Sequence, residues 1–310
     1  MNAPEAPISD GPQFLGIGAP RCGTTWLHRM LGQHPQVWLP PIKEVHYFDS
    51  LDPKLRVQVR IDTLGGRVRK CLGSRALHYG AASVGGWIPS VARKVRVDWD
   101  WDRRYFSAGG SVAWYRDLFN AKRASHRMVG EITPAYFALS DETIGAIRRE
   151  TAVRKFILML RDPIDAIWSG YGKRVRDGQA SVDETDHDAL LAELLQSGLS
   201  RRLYASNLRR WLAAFDRDCF FIGYFEDLAA APGELLDQVC DFLTVERRSQ
   251  ALGLQLRERV NSSLASRAAL PPAIERGLAE RLEPELRDLA QLVGGRAVGW
   301  HQRALQALAR

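Results

Sequence analysis

The fold of this chain is decided by one stretch near its start, Phe14-Leu15-Gly16-Ile17-Gly18-Ala19-Pro20-Arg21-Cys22-Gly23-Thr24-Thr25-Trp26-Leu27-His28-Arg29-Met30-Leu31. Its apolar beginning predicts a buried strand over 13–18, and the proline and glycines that follow predict a loop. Apolar residues then recur at helical spacing and predict an amphipathic helix over 24–33. The stretch is therefore a strand, a loop and the start of a helix.

The loop carries the groups that hold a phosphate. Gly18 and Gly23 allow the backbone to turn so that several N–H groups converge at the positive end of the helix. The guanidinium of Arg21 and the hydroxyls of Thr24 and Thr25 stand beside those N–H groups. The composition of the loop predicts an anion-binding site.

This loop differs from the loop of nucleoside-triphosphate hydrolases, whose pattern is G-x-x-x-x-G-K-[ST]. Gly18 and Gly23 have the spacing of that pattern, but Thr24 occupies the lysine position. The cation lies inside the loop instead, at Arg21. Loss of this lysine disfavours a kinase or regulatory protein that binds a nucleoside triphosphate with magnesium. Such a protein stays an alternative.

A second segment has the same organisation. The apolar run at 155–160 predicts a buried strand, and Arg161 follows at its carboxyl end, where open α/β sheets bind ligands. Asp162 is the expected N-cap of a helix over 163–177 that begins with Pro163. Arg161 and Ser169 can reach one phosphate, the arginine through two hydrogen bonds. The alternative is that Arg161 forms a structural ion pair with Asp162 or with Asp165.

Four segments in this order resemble the motifs of sulfotransferases that use 3'-phosphoadenosine 5'-phosphosulfate (PAPS). They are Pro20-Arg21-Cys22-Gly23-Thr24-Thr25-Trp26, Lys43-Glu44-Val45-His46-Tyr47-Phe48-Asp49, Gly130-Glu131-Ile132-Thr133-Pro134-Ala135-Tyr136 and Arg161-Asp162-Pro163-Ile164-Asp165-Ala166-Ile167-Trp168-Ser169-Gly170-Tyr171. The resemblance covers 13–49 and 115–245 and favours the branch that sulfates carbohydrates and related acceptors. It implies an α/β fold with a phosphate-binding loop and a central parallel sheet flanked by helices.

The resemblance also implies roles for individual residues. Arg21 would contact the leaving phosphate oxygen as a charge clamp, because arginine does not release a proton. The residues implied to bind PAPS, or its product 3'-phosphoadenosine 5'-phosphate (PAP), are Arg21, Cys22, Gly23, Thr24, Thr25, Trp26, Arg161, Ser169 and, from a loop closing over the adenosine phosphate, Arg267. No metal is expected, because fixed cations can stabilise the leaving group.

The base that deprotonates the acceptor is implied to be Glu44, with His46 as a second candidate. Lys43 would lower the pKa of Glu44 and burial would raise it, and the sequence leaves the outcome open. The alternatives are that Lys43 and Glu44 form a surface pair and that His46 is a half-buried structural residue.

One position departs from the resembling motif. The branch often has lysine after the glutamate of its third motif, and this chain has Ile132. Either the acceptor differs, or Arg21 and His46 carry that charge. Tyr204 resembles a position near the acceptor cleft, but a core tyrosine explains it equally well.

The expected function is transfer of a sulfuryl group from PAPS to a hydroxyl, or an amine, of a small-molecule, glycan or lipid acceptor. Two other classes stay open. One is a nucleoside-triphosphate-dependent kinase or regulatory protein, and the other is a non-catalytic protein that binds PAP.

The whole chain, of 310 residues, predicts one domain over 13–310 after a disordered leader at 1–12. No apolar run is long enough to span a membrane, and no signal segment is recognised. The four cysteines lack metal-ligand or disulfide spacing, which favours a reduced protein and a cytoplasmic location.

Positive charge is concentrated in an insert at about 52–112. Residues 54–104 hold twelve lysines and arginines against four aspartates, so they account for all of the net charge of +7. The insert also contains Trp87, Trp99 and Trp101. It is expected to contact an anionic acceptor, a membrane surface or a polyanion, or to be a solvated lid with core tryptophans. Nucleic acid is not expected, because no nucleic-acid motif accompanies the charge.

Periodicity predicts the remaining elements. Strands are predicted at 13–18, 36–39, 127–130, 155–160 and 219–224. Helices are predicted at 24–33, 140–150, 163–177, 186–196, 202–215 and 232–243, with one or two more at 270–292.

Overall fold

The computed structural model describes residues 10–55, 99–107, 110–180, 186–253, 256 and 269–310. Within them, five parallel strands form one sheet in the order β2-β3-β1-β4-β5. The strands are β1 (Phe14–Gly18), β2 (Val37–Trp38), β3 (Met128–Ile132), β4 (Lys155–Leu160) and β5 (Phe220–Tyr224).

Helices lie between and after the strands. In chain order they are α1 (Thr24–Leu31), α2 (Tyr47–Leu51), α3 (Trp99–Phe106), α4 (Val112–Arg123), α5 (Asp141–Glu150), α6 (Pro163–Arg176), α7 (His187–Gly198), α8 (Tyr204–Ala214), α9 (Phe225–Ala230), α10 (Pro232–Leu243), α11 (Ser249–Leu252), α12 (Pro272–Val293) and α13 (Arg296–Ala309). Short 3-10 helices cover Pro134–Ala138, Leu199–Arg202 and Arg217–Cys219.

The central strands are buried because helices cover both faces of the sheet. All five residues of β1 and the last five of β4 are buried, as expected for strands of a parallel sheet. β1 pairs with β3 on one side and with β4 on the other. Gly130 permits the β1–β3 packing, because a Cβ atom at this position would lie 2.4 Å from the carbonyl oxygen of Phe14.

The strand order creates a switch point between β1 and β4. The chain leaves β1 toward β2, on one side of the sheet, and leaves β4 toward β5, on the other. Open α/β sheets bind ligands outside the carboxyl ends of the strands at such a point. The loop that carries Arg21 and the turn that carries Arg161 both begin there.

The predicted α/β fold with a central parallel sheet is confirmed. Each predicted strand is present with bounds within two residues of the expected ones, and so is each of the first six predicted helices. The segment 270–292 forms one helix, α12. The helices α2, α3, α4, α9, α11 and α13 were not predicted.

Two predicted regions lie largely outside the described residues. Of the leader, residues 10–12 are described, and Gly11 donates to the Oδ1 atom of Asn120 (2.7 Å) and accepts from Arg123. Of the insert, residues 52–55, 99–107 and 110–112 are described. There Trp101 and Tyr105 are buried and stacked 4.6 Å apart, which favours a core role for Trp101. Trp87 lies outside the described residues.

None of the helices in the described ranges is both long enough and apolar enough to cross a membrane.

The tight β1–β3 packing predicts that Gly130→Ala lowers the free energy of unfolding. Overpacking of this kind costs about 1–3 kcal/mol. The matched control is Gly299→Ala, at a helical position of α13 where a Cβ atom meets nothing within 4 Å. Because alanine is the better helix former, the control should gain about 0.5–1 kcal/mol. Urea unfolding midpoints check both values, and equal midpoints would contradict the packing argument.

Candidate active site

The loop between β1 and α1 has a backbone suited to an anion. Arg21 (φ 69°) and Gly23 (φ 87°) both adopt the left-handed region. Such residues turn successive N–H groups toward one concave side, where anions bind. Gly23 is also the N-cap of α1, and with no side chain it leaves the first N–H groups of the helix to a ligand.

The side chain of Arg21 joins the two predicted phosphate-binding segments. Its Nη2 atom donates to the Oγ atom of Ser169 (3.1 Å) and to the Ser169 carbonyl oxygen (3.3 Å), at the middle of α6. Its Nε atom is buried and has no hydrogen-bond partner among the described residues. A donor left unsatisfied in this way indicates a place for a further acceptor.

Positive charge is concentrated around Arg21. Burial, followed by the charges of three neighbouring guanidiniums, lowers the pKa of Arg21; the guanidiniums belong to Arg176, Arg161 and Arg202. The guanidinium of Arg161 lies 4.5 Å from the ring centre of Phe225, stacked over α9. Like charges gathered at one place favour a ligand with several negative charges.

Two of these arginines were not identified from the sequence. Arg176 follows Ser169 by two helical turns, so the spacing along α6 contained the signal. Arg202 is buried and donates to the carbonyl oxygen of Ala166 (3.3 Å), one turn before Ser169. No local pattern indicated Arg202, because a helix and a loop separate it from α6.

The possible ion pair of Arg161 with its own helix is not formed. Asp162 caps α6 as predicted, accepting from the backbone N–H of Ile164 (2.9 Å). Asp162 and Asp165 both pair with Arg303 of α13. Among the residues that the structure describes, none forms an ion pair with Arg161.

The segment with the predicted base has a strained backbone. Glu44 (φ 61°) and His46 (φ 60°) are both left-handed, a conformation uncommon for residues with a side chain. Such conformations persist only where surrounding contacts hold them, and they are frequent at active sites.

The side chains of this segment form a connected polar group. Lys43 contacts the Oε1 atom of Glu44, and the Nε2 atom of His46 lies 3.4 Å from Oε2 of the same carboxylate. The Nδ1 atom of His46 is 2.6 Å from the Oδ2 atom of Asp49, which is buried. Asp49 therefore fixes the orientation of the imidazole, the arrangement that a general base requires.

The electrostatics answer the question that the sequence left open for Glu44. Burial raises the pKa of Glu44, but the hydrogen bond with His46 and the charge and hydrogen bond of Lys43 outweigh burial. The pKa of Glu44 therefore lies well below its usual value. Glu44 is ionised at neutral pH and its carboxylate is paired with His46.

A buried glutamate holds this segment in place. The carboxylate of Glu131 accepts four hydrogen bonds, which come from Val45 N (3.1 Å), Thr133 Oγ1 (2.7 Å), Tyr115 OH (2.6 Å) and Tyr136 OH (2.8 Å). Tyr136 in turn accepts from the backbone N–H of Tyr47 (2.9 Å). Burial raises the pKa of Glu131, and the four donors oppose that rise. The N–H groups on either side of His46 are thus tied to the third motif.

The phosphate-binding loop and the base segment lie along the same edge of the sheet. Arg21 follows β1, Glu44 follows β2 and Tyr136 follows β3, each at the carboxyl end of a parallel strand. Ile132, the departure from the third motif, is buried against Gly16 and contributes no charge.

The other residues of the loop and of α1 that were predicted to bind PAPS are buried or half-buried. Cys22 is buried, and its Sγ atom lies 3.5 Å from the hydroxyl of Tyr204, which is a core residue. Trp26 is buried and donates to the carbonyl oxygen of Leu256 (3.0 Å). Thr24 is buried and Thr25 half-buried at the start of α1. Arg267 lies outside the described residues.

The described residues contain no group of three or more histidine, cysteine, aspartate or glutamate side chains placed to hold a metal ion. That no metal is needed stays a prediction of the sequence.

Comparisons with known proteins bear on this site. The model of a family described as "Sulfotransferase family" matches residues 12–249. Carbohydrate sulfotransferase 15 of Mus musculus is 25% identical over 327 aligned positions, which cover 93% of this chain and 54% of that protein. Heparan sulfate glucosamine 3-O-sulfotransferase 3B1 of Mus musculus is 29% identical over 153 positions, which cover 47% of this chain and 37% of that protein. The chain thus spans about half the length of the first of these relatives.

A solved structure has the same fold. The crystal structure of a sulfotransferase from Alicyclobacillus acidocaldarius matches with a TM-score of 0.59 and 23% identity, over 93% of this chain and 98% of that chain.

The hydrogen bonds of Glu131 predict a large effect of Glu131→Gln on stability. The substitution places an amide donor against hydroxyl or backbone donors, and an unsatisfied buried group costs about 1–3 kcal/mol. The matched control is Glu142→Gln, an exposed position in the first turn of α5, where we expect a change of at most about 0.5 kcal/mol. Urea unfolding of both variants measures the difference, and a similar small loss in each would show that the four bonds contribute little.

Proposed function

Because the chain belongs to the sulfotransferase family, we propose that it transfers a sulfuryl group from PAPS to a hydroxyl, or an amine, of an acceptor. The observation that carries the proposal is the contact of Arg21 with Ser169, surrounded by further guanidiniums. That contact unites the loop after β1 with the helix after β4 in one strongly positive site. A nucleotide with phosphates at two positions fits such a site.

The residues present fit PAPS in number and kind. Loop N–H groups and the hydroxyls of Thr24 and Thr25 would hold the 5'-phosphate, as at other helix N-termini. Arg161 and Ser169 would hold the 3'-phosphate. The buried Nε atom of Arg21, without a partner among the described residues, gives a donor for the phosphosulfate.

Arg21 would stabilise the leaving oxygen. The bound PAPS supplies the sulfuryl group, and negative charge develops on its 5'-phosphate as that group is transferred. A fixed guanidinium stabilises such charge without a change in its own protonation. Burial strengthens this interaction, because little water screens it.

Glu44 and His46 would take the proton of the acceptor as one unit. Glu44 is ionised and partly buried, with 30% of its side chain exposed, and His46 lies between Glu44 and Asp49. A proton that leaves the acceptor to the carboxylate can be shared with the imidazole, and Asp49 compensates the resulting charge. This pairing allows a carboxylate of low pKa to act as a base.

We propose a hydroxyl of a carbohydrate as the acceptor. The relatives named above are a carbohydrate sulfotransferase and a heparan sulfate sulfotransferase. This chain has Ile132 where the third motif often has lysine. Negative charge on the acceptor would therefore interact with other cationic residues. Contacts of the basic insert with a membrane surface or a polyanion, and a cytoplasmic location, also remain proposals.

Binding of PAP tests the nucleotide. A ligand that binds only the folded state, at 100 times its dissociation constant, adds about 2.7 kcal/mol of stability. PAP should raise the melting temperature equally with and without a chelator. Stabilisation by ATP with magnesium and not by PAP would instead support the kinase alternative and contradict our proposal.

Turnover by Glu44→Gln tests the base. We expect a loss of kcat of about 10²- to 10⁴-fold, the usual contribution of a general base. The dissociation constant of PAP should change less than about twofold, because Glu44 lies outside the phosphate-binding loop. Glu142→Gln is the control and should keep full activity. Full activity of Glu44→Gln would exclude Glu44 as the base, and PAP binding without turnover in the wild-type protein would favour a non-catalytic protein.

A further inference from the structure

Two carboxylates lie beside the arginine that is proposed to hold the 3'-phosphate. Asp162 follows Arg161 directly, and Asp165 is one helical turn further along α6. Burial raises the pKa of Asp162 and the charge of Arg303 opposes that rise, so that the pKa is about 6 with Arg303 in place. Without a cation beside them, the charge of Asp165 would attract Arg161 and repel a phosphate. The buried Asp162 would take up a proton more readily.

Arg303 of α13 neutralises both carboxylates. Its Nη1 atom lies 2.8 Å from the Oδ2 atom of Asp162 and 2.9 Å from the Oδ1 atom of Asp165. Its Nε atom donates to Glu275 of α12 (2.9 Å), which fixes the direction of the guanidinium. Asp162 is almost fully buried, with 4% of its side chain exposed, so water screens this pair weakly.

The same face of α13 also contacts Glu226, which lies next to the ring on which Arg161 stacks. Trp300 is three residues before Arg303, and its Nε1 atom donates to Glu226 Oε1 (3.2 Å). The same oxygen accepts the backbone N–H of Asp162 (3.3 Å). Glu226 follows Phe225, the ring under the Arg161 guanidinium. α13 therefore fixes both the charge and the packing next to Arg161.

We propose that Arg303 is a positioning residue of the nucleotide site, which neutralises Asp162 and Asp165 and so keeps Arg161 available to the 3'-phosphate of PAPS. The inference rests on the proposed function. Arg303 lies beyond residues 12–249, which the family model matches, and in none of the four motifs. Its effect should be specific to a ligand with a 3'-phosphate.

The test compares two nucleotides that differ only in this group. PAP carries phosphates at the 3' and 5' positions, and adenosine 5'-monophosphate carries only the 5'-phosphate. In Arg303→Met we expect the affinity for PAP to fall about tenfold, comparable with the loss of one charge-assisted hydrogen bond. The affinity for adenosine 5'-monophosphate should stay within about twofold of the wild-type value. Isothermal titration calorimetry measures both.

Three further variants separate positioning from general damage. Arg296→Met removes an ion pair of the same helix with Asp227 (2.7 Å) and should keep the wild-type ratio of the two affinities. Arg303→Lys retains the charge and should keep most of the wild-type ratio of PAP affinity to adenosine 5'-monophosphate affinity. If Arg303→Met does not fold, Arg303→Lys takes its place in the comparison with the wild-type protein. Arg303→Met combined with Asp165→Asn removes one repelling charge and should recover part of the PAP affinity.

The outcomes are distinguishable. An equal loss of affinity for both nucleotides in Arg303→Met, or no loss for PAP, overturns the positioning role while the proposed function stands. If the ratio of PAP affinity to adenosine 5'-monophosphate affinity is as low in Arg303→Lys as in Arg303→Met, the positioning role is also overturned. A wild-type protein that does not bind PAP overturns the proposed function and this inference with it.

Discussion

A site for a polyanion depends on arginines that the protein's own carboxylates do not neutralise. This chain has 36 acidic residues, yet Arg21 and Arg161 make no ion pair within the described part of the chain. Arg21 instead contacts Ser169, a neutral group, and Arg161 stacks on the ring of Phe225. Repulsion among these guanidiniums is the cost of the arrangement, and a bound anion relieves it. The parallel sheet serves this constraint by bringing the two segments to adjacent strand ends.

The segment of Glu44, His46 and Asp49 differs from the loop after β1, because its charged groups are paired with one another. Its carboxylates are partly or fully buried, and each is held by hydrogen-bond donors or by a neighbouring imidazole. Glu131 is surrounded by neutral donors that bind it to the backbone beside His46, whereas Glu44 and Asp49 share the imidazole. The left-handed conformations of Glu44 and His46 are held by these local contacts and by the distant Glu131 and Tyr136, which bind the N–H groups of Val45 and Tyr47.

The sequence predicted the sheet and the phosphate-binding loop because their signals are local. β1 and β4 are uninterrupted apolar runs, and Asp162 precedes a proline at a helix start. It did not predict α2, which is short and begins after the left-handed His46. Nor did it identify the partner of Asp162, because Arg303 is 141 residues away. The hydrogen bonds of Glu131 also escaped prediction, since Tyr115 belongs to α4, a helix that its own pattern did not reveal.

The position of α13 affects how this protein can be trimmed or fused. A fragment that ends with the family match, at residue 249, retains all four motifs and every strand of the sheet. It lacks the helix whose Trp300 and Arg303 contact the turn after β4. Such a fragment would contain every motif, yet Asp162 and Asp165 in the turn after β4 would lack the cation that pairs with them. A domain boundary drawn from the motifs alone therefore separates the turn after β4 from residues that contact it.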